Sequence, residues 1–96
     1  MAVDHLVLLA ADRGLLTEEH RTDILTLADR VRESLGLSLE NRVTFSETEH
    51  SRVVGILSHW RFDSVEDLER FRESRVHLDH VERLRPALLG KQVIDL

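Results

Sequence analysis

Apolar residues along the chain recur every second position in some segments and at helical spacing in others. Residues 2–10 are apolar on both faces of an extended strand, which is typical of a strand covered on both sides. Residues 17–35 place apolar side chains at helical spacing, between the N-cap residue Thr17 and the helix-stopping Gly36. The first third of the chain therefore predicts a strand followed by a helix.

Two further strands are predicted in the middle of the chain. Residues 37–45 alternate between apolar and polar side chains, as in a half-buried strand. Residues 52–62 form a third predicted strand, in which His59 faces away from the core. We expect the bulkier face of that strand to lie under the helices, and this face carries Val54, Ile56, Ser58, Trp60 and Phe62.

A second helical region completes the pattern. Ser64 is a predicted N-cap, and Pro86 should kink or end the helix near Arg85 because proline removes one helical hydrogen bond. Gly90 is expected to stop the helix, and residues 91–96 are expected to form a short final strand. The second helical region is therefore split in two before the chain returns to the sheet.

The element order, β-α-β-β-α-β, predicts an α+β fold of the ferredoxin-like kind in a single domain, residues 1–96. In that arrangement the helices cover one face of a four-stranded antiparallel sheet. The other face would carry Leu6, Leu8, Val53 and Leu57. A partly apolar open face favours a partner, so we predict a homodimer packed sheet to sheet.

Composition narrows the function classes. The chain has no cysteine, hence no disulfide, no thiolate nucleophile and no thiolate metal site, which fits a reducing cytoplasm. Its longest apolar run, residues 6–11, is far shorter than the roughly 20 residues of a membrane helix, and no signal peptide is evident. Acidic residues interleave with the arginines and the net charge is −5, which argues against nucleic-acid binding. We therefore expect a cytoplasmic protein with neither a membrane nor a nucleic acid as partner.

Two histidines are candidates for chemistry. His5 shares a face of the first strand with Val7 and Leu9, and His77 begins a helical row that continues through Val81. Both can point into one cavity from opposite walls. Neutral imidazoles suit proton transfer near pH 7. We hypothesise that His77 removes a proton next to a carbonyl, while His5 orients the imidazole ring or donates to the developing oxyanion.

The alternative is that both histidines only bond to the backbone and close a small core. A backbone carbonyl or Ser58 is the expected partner that fixes each imidazole tautomer. Trp60 is more typical of core than of a ligand platform. His77 and His80 diverge around the helix and match no specific metal motif, so we expect no metal site.

Several segments resemble the stress-responsive dimeric α/β-barrel (Dabb) domain, a family that includes the plant olivetolic acid cyclase. The resemblance spans nearly the whole chain and is carried by Val3–Leu9, Leu16–Glu19, Phe62–Leu68 and His77–Pro86. It implies a dimeric α/β barrel and, by analogy with the cyclase, a cofactor-independent aldol closure of a linear polyketide. His5 and His77 match two active-site histidines of that enzyme.

The chain also departs from the family pattern. The common His-Pro-Ala-His run reads Ser-Arg-Val-His at 74–77, and a third-strand histidine falls at Ile56. Two pocket tyrosines would align with Phe71 and Ala28, and the chain has no tyrosine. The substrate therefore cannot be carried over. The expected pocket lining is Val7, Leu9, Ala28, Ile56, Ser58, Trp60 and Phe71.

Three functions stay open from the sequence. The first is a cofactor-independent cyclase or lyase that uses His77 as base on a small carbonyl or polyketide-like compound, and it requires an open cavity reaching both histidines. The second is a non-catalytic dimeric module that binds a small apolar ligand or supports the stress response. The third comes from neighbouring barrel families, which include cofactor-free monooxygenases and haem-handling proteins, but no axial-ligand motif is evident. We expect no cofactor.

Overall fold

The computed structural model describes residues 1–96 as four strands and three helices. In chain order the elements are β1 (Val3–Asp12), α1 (Glu18–Leu35), β2 (Leu39–Ser46), β3 (Val53–Phe62), α2 (Val65–Glu73), α3 (Arg75–Leu84) and β4 (Leu88–Asp95), with a single 3₁₀ turn, Arg85–Ala87, before β4. This order confirms the predicted α+β, ferredoxin-like fold.

Helix boundaries follow the local chemistry of the chain. The Thr17 side chain accepts a hydrogen bond from the backbone N–H of His20, and Gly36 ends α1 in the left-handed conformation at φ 66°. His20 also accepts a hydrogen bond from the backbone N–H of Thr17, which completes a capping box that the sequence did not predict. Ser74 separates α2 from α3 because its hydroxyl caps the new helix.

The sheet is antiparallel throughout, with strand order β2-β3-β1-β4. On β3 the side chains alternate between buried and exposed along the strand, and the buried set is the predicted one, Val54, Ile56, Ser58, Trp60 and Phe62. His59 points to the open face, as predicted, and bonds to Asp4 at 2.9 Å.

The final strand differs from its prediction. β4 begins at Leu88, three residues before the predicted start, and Gly90 lies within it instead of ending the preceding helix. The helix ends at Leu84 and the 3₁₀ turn follows, as the position of Pro86 predicts. Because β4 pairs with β1, its register places Asp95 opposite His5 and Lys91 opposite Leu9.

Two separate clusters form the core. One contains Phe62 and Phe71 with the middle of α1, and the other contains Val54 and Ile56 with Leu84 and Ala87. The open face of the sheet keeps apolar side chains partly exposed, among them Leu8, Val53, Leu57 and Ile94. No helix combines the length and apolar character needed to cross a membrane.

Candidate functional site

A cavity of about 500 Å³ lies between the sheet and the helices. Its volume falls within the range of small-molecule sites. It takes lining residues from both core clusters, including Leu27 from one and Ile24 from the other. Eight of the nine residues predicted for the site line this cavity: His5, Val7, Leu9, Ile56, Ser58, Trp60, Phe71 and His77.

Ala28 is the exception. It is buried in the core cluster around Phe62 and does not line the cavity. The assignment rested on alignment with a family tyrosine, and alanine at this position packs against its neighbours in the cluster. The predicted pocket lining therefore includes one residue, Ala28, that the structure places in the core instead.

His5 is held by a carboxylate from the last strand. It is only 4% exposed, and its Nδ1 hydrogen-bonds to Asp95, which also pairs with Arg72. Burial acts to raise the pKa of Asp95, but the hydrogen bond from His5 and the charges of His5 and Arg72 outweigh it, so the pKa lies below its usual value. The carboxylate is therefore ionised near neutral pH and accepts a hydrogen bond from Nδ1–H of His5, which leaves Nε2 of that ring without a partner in the protein.

His77 sits in the first turn of α3. Its Nδ1 lies 3.1 Å from the backbone oxygen of Arg72, and its ring centroid is 4.5 Å from that of Phe71. Since a carbonyl can only accept, Nδ1 carries the hydrogen and Nε2 keeps a free lone pair in the neutral ring. Burial lowers the pKa of His77 below its usual value, although the Arg72 carbonyl acts in the opposite direction. His77 is therefore a neutral imidazole with an accepting Nε2 at pH 7.

His80 is a cavity residue that the sequence interpretation missed. It is 8% exposed, and its Nδ1 bonds to Asp23 of α1 at 2.6 Å. Asp23 also accepts from Arg83 at 2.9 Å and from Arg30 at 2.7 Å. Burial lowers the pKa of His80 despite the hydrogen bond that its Nδ1–H donates to Asp23.

A wider buried stripe on the helix would have predicted that His80 faces the cavity. The buried stripe of a helix is at least about 100° wide, so it can include positions three and four residues apart. The residues His77, His80, Leu84 and Ala87 follow such a spacing and all lie on the inner side. A stripe limited to one row, as in the prediction, leaves His80 out.

The three imidazoles share one arrangement. In each, Nδ1 bonds to an oxygen acceptor, while Nε2 makes no hydrogen bond. No buried side-chain nitrogen or oxygen lacks a hydrogen-bond partner, so each of these Nε2 atoms keeps some accessible surface, and all three histidines line the cavity. Such nitrogens can accept or donate a proton to a bound molecule. No group of three or more His, Asp or Glu side chains is arranged to hold a metal ion.

Solved structures share this fold across the full chain. A dimeric ferredoxin-like protein of unknown function from Jannaschia sp. CCS1 is 22% identical, with a TM-score of 0.70 over 100% of this chain and 98% of that one. A second such dimeric protein, from Bacteroides fragilis NCTC 9343, is 14% identical, with a TM-score of 0.69 over 99% of this chain and 94% of the other. At these identities the similarity shows the fold alone.

A third solved structure with this fold is named for a possible activity. It is a candidate antibiotic biosynthesis monooxygenase from Caulobacter crescentus CB15, 12% identical, with a TM-score of 0.71 over 99% of this chain and 87% of the other. No protein-family model and no curated protein matches the chain. The chain therefore has the fold of these dimeric ferredoxin-like proteins. The resemblance to the Dabb domain rests only on the sequence segments named above, Val3–Leu9, Leu16–Glu19, Phe62–Leu68 and His77–Pro86.

Proposed function

We propose that this protein is a homodimeric, cofactor-independent enzyme that removes a proton next to a carbonyl in a small apolar compound. The observation that carries the proposal is the state of His77, which is a neutral imidazole whose free Nε2 meets an apolar cavity. His5 reaches the same cavity from the sheet. A base and a second proton-bearing group on opposite walls suit proton transfer at carbon.

In the proposed reaction, Nε2 of His77 takes the proton from the carbon next to a carbonyl. The electron pair of the broken C–H bond moves into an enolate, whose oxygen accepts a hydrogen bond from Nε2–H of His5. For this hydrogen bond His5 has to enter the reaction as the imidazolium, with Nδ1–H on the ionised Asp95 and Nε2–H on the enolate oxygen, and it keeps both protons throughout. A preorganised donor at a developing oxyanion is among the stronger contributions to catalysis.

A ring closure would follow from the same two groups. The enolate carbon attacks a second carbonyl of the same molecule, and a new C–C bond forms. The resulting alkoxide takes up the proton that His77 holds, which restores the neutral base. This is the aldol-type cyclase function that the Dabb resemblance implies, with a small carbonyl or polyketide-like compound as substrate.

Several observations support a dimer. The dimeric proteins from Jannaschia and Bacteroides share the fold. Leu57 and Leu8, on the open face of the sheet, are each about two-fifths exposed, at 40% and 39%. A contiguous apolar patch on a small sheet is typical of an association surface.

The dimer is tested by Leu57→Glu, with Val65→Glu as the matched control. Val65 is 53% exposed but lies on α2, on the opposite side of the sheet. Light scattering coupled to size exclusion should show a dimer for the wild type and for Val65→Glu, and a monomer for Leu57→Glu, because a buried unpaired charge is costly. A monomeric wild type would contradict the dimer.

The chemistry is tested by hydrogen exchange in D₂O. Ethyl 3-oxohexanoate, an uncharged β-keto ester, would be followed by proton NMR for loss of the hydrogens between its two carbonyls. We expect exchange above the buffer rate, and about a 100-fold loss in His77→Gln, in line with the usual contribution of a general base. His50→Gln is the control, since His50 is exposed and does not line the cavity.

The outcome separates the candidate functions. Exchange that survives His77→Gln would contradict the assigned base. Ester binding without any exchange would favour the non-catalytic ligand-binding module. Oxygen consumption that depends on the ester would instead favour cofactor-free monooxygenase chemistry.

A further inference from the structure

The charged side chains that line the cavity are all cationic. They are Arg72, Arg85 and Lys91, and no aspartate or glutamate lines the cavity. The chain as a whole is acidic, with 18 Asp and Glu against 13 Lys and Arg. The sign of charge at the cavity is therefore opposite to that of the molecule, which favours an anionic ligand there.

Two of the three cations already have acidic partners. Arg72 pairs with Asp95, and Arg85 donates to Glu82 at 2.8 Å. Lys91, the one lysine of the chain, forms no ion pair and no side-chain hydrogen bond, and it is exposed. One positive charge at the cavity is thus available to a ligand.

The sheet register directs Lys91 to the cavity. It lies opposite Leu9 in the β1–β4 pairing, and Asp95, four residues on, lies opposite His5. Residues two and four apart on a strand share a face, so Lys91 lies on the helix-covered side with Val93 and Asp95. Its charge also acts on His77, where it favours the neutral imidazole.

We propose that the substrate of this site is an amphipathic monoanion, an apolar chain or ring that bears one carboxylate, and that Lys91 binds the carboxylate at the rim of the cavity. The inference rests on the proposed function, because it takes the same cavity as the substrate site. A carboxylate at Lys91 directs the apolar body inward, toward His77 and His5. One free ammonium matches one negative charge, which favours a carboxylate over a dianionic phosphate monoester.

Binding can be measured without turnover. Trp60 is the only tryptophan of the chain and it lines the cavity, so its fluorescence reports occupancy. The probes are octanoate and octanamide, which share a chain and differ in charge, titrated at low ionic strength. We expect octanoate to bind about fivefold more tightly, in line with an exposed charge pair worth up to about 1 kcal/mol.

Three variants make the test specific. Lys91→Gln should bring the dissociation constants of octanoate and octanamide together, by weakening octanoate about fivefold and leaving octanamide unchanged. Lys91→Arg should keep the preference because it keeps the charge. Arg52→Gln removes one exposed cation that does not line the cavity, and it should leave the preference as in the wild type.

The outcomes distinguish this inference from the proposed reaction. Equal binding of the two probes to the wild type would overturn the inference, as would a preference that survives Lys91→Gln or the absence of binding by either probe. Loss of deuterium exchange with a retained, Lys91-dependent preference would instead reject the enzyme and leave the anion site standing.

Discussion

The interior of the molecule is packed at both ends and open in the middle. At one end Phe62 and Val31 are fully buried, and at the other Val54 is fully buried. Between them lies a cavity of about 500 Å³. Apolar side chains fill the ends, whereas three of the four buried polar residues, His5, Ser58 and His80, line the middle.

The two regions differ in what holds them together. The ends depend on the burial of apolar surface, as at Phe62, whose ring packs against Phe71 at 5.3 Å between centroids. The middle depends on hydrogen bonds, because a buried imidazole without a partner would cost free energy. Carboxylates on α1 and β4 supply two of those bonds. The packed ends can therefore stabilise a fold whose centre stays open to a ligand.

The largest expected effect is at a packed end. Phe62→Ala removes a fully buried ring and should lower the free energy of unfolding by about 3–5 kcal/mol, measured by urea denaturation. Val7→Ala is the matched change at the cavity, where Val7 is only partly buried, and it should cost about 1 kcal/mol. Equal losses from the two variants would mean that the middle is packed as tightly as the ends.

A smaller effect is expected from the carboxylate that holds His80. Asp23→Asn weakens the bonds to His80, Arg83 and Arg30 at a side chain only 18% exposed, and should cost about 2 kcal/mol. Asp95→Asn changes a carboxylate that is 37% exposed, where solvent screening limits the loss to under about 1 kcal/mol. Urea denaturation at pH 7 compares the two variants. A larger loss of unfolding free energy in Asp95→Asn than in Asp23→Asn would contradict this prediction.

The smallest effect is the response to pH, in two steps. Burial lowers the pKa of both His77 and His80, so below about pH 6.5 the unfolded chain binds more protons and stability falls as the pH falls. Asp23 and Asp95 also have lowered pKa values, and their contribution is lost below about pH 4.

Denaturation curves between pH 3 and pH 8 would show both steps. His77→Gln should reduce the upper step and leave the lower one in place. A free energy of unfolding that is flat between pH 7 and pH 5 would contradict the lowered histidine pKa values.

The sequence predicts the packed ends of the molecule better than it predicts the cavity in the middle. The alternation of β3 and the capping residues Thr17 and Gly36 predict the fold because each acts within a few neighbouring positions. His5 and His77 were also found, since each lies on an apolar face of its own element.

The polar supports of the site could not be predicted in the same way. Asp95 meets His5 only through the register of β4, which starts earlier than the sequence indicates and shifts between Ala10 and Ala11. Asp23 meets His80 across 57 positions of the chain. Such pairs depend on how distant elements pack, and no local pattern of one sequence fixes them.

We propose above all that His77 is a neutral base in a cavity that a ligand can occupy. The most direct test of this proposal is an NMR titration of the histidine rings, with His77→Ala to assign the signal, in the absence and presence of ethyl 3-oxohexanoate. We expect a pKa for His77 below its ordinary value of 6.5 and a further fall when the ester excludes water. A pKa at the ordinary value that does not change with the ester would contradict it.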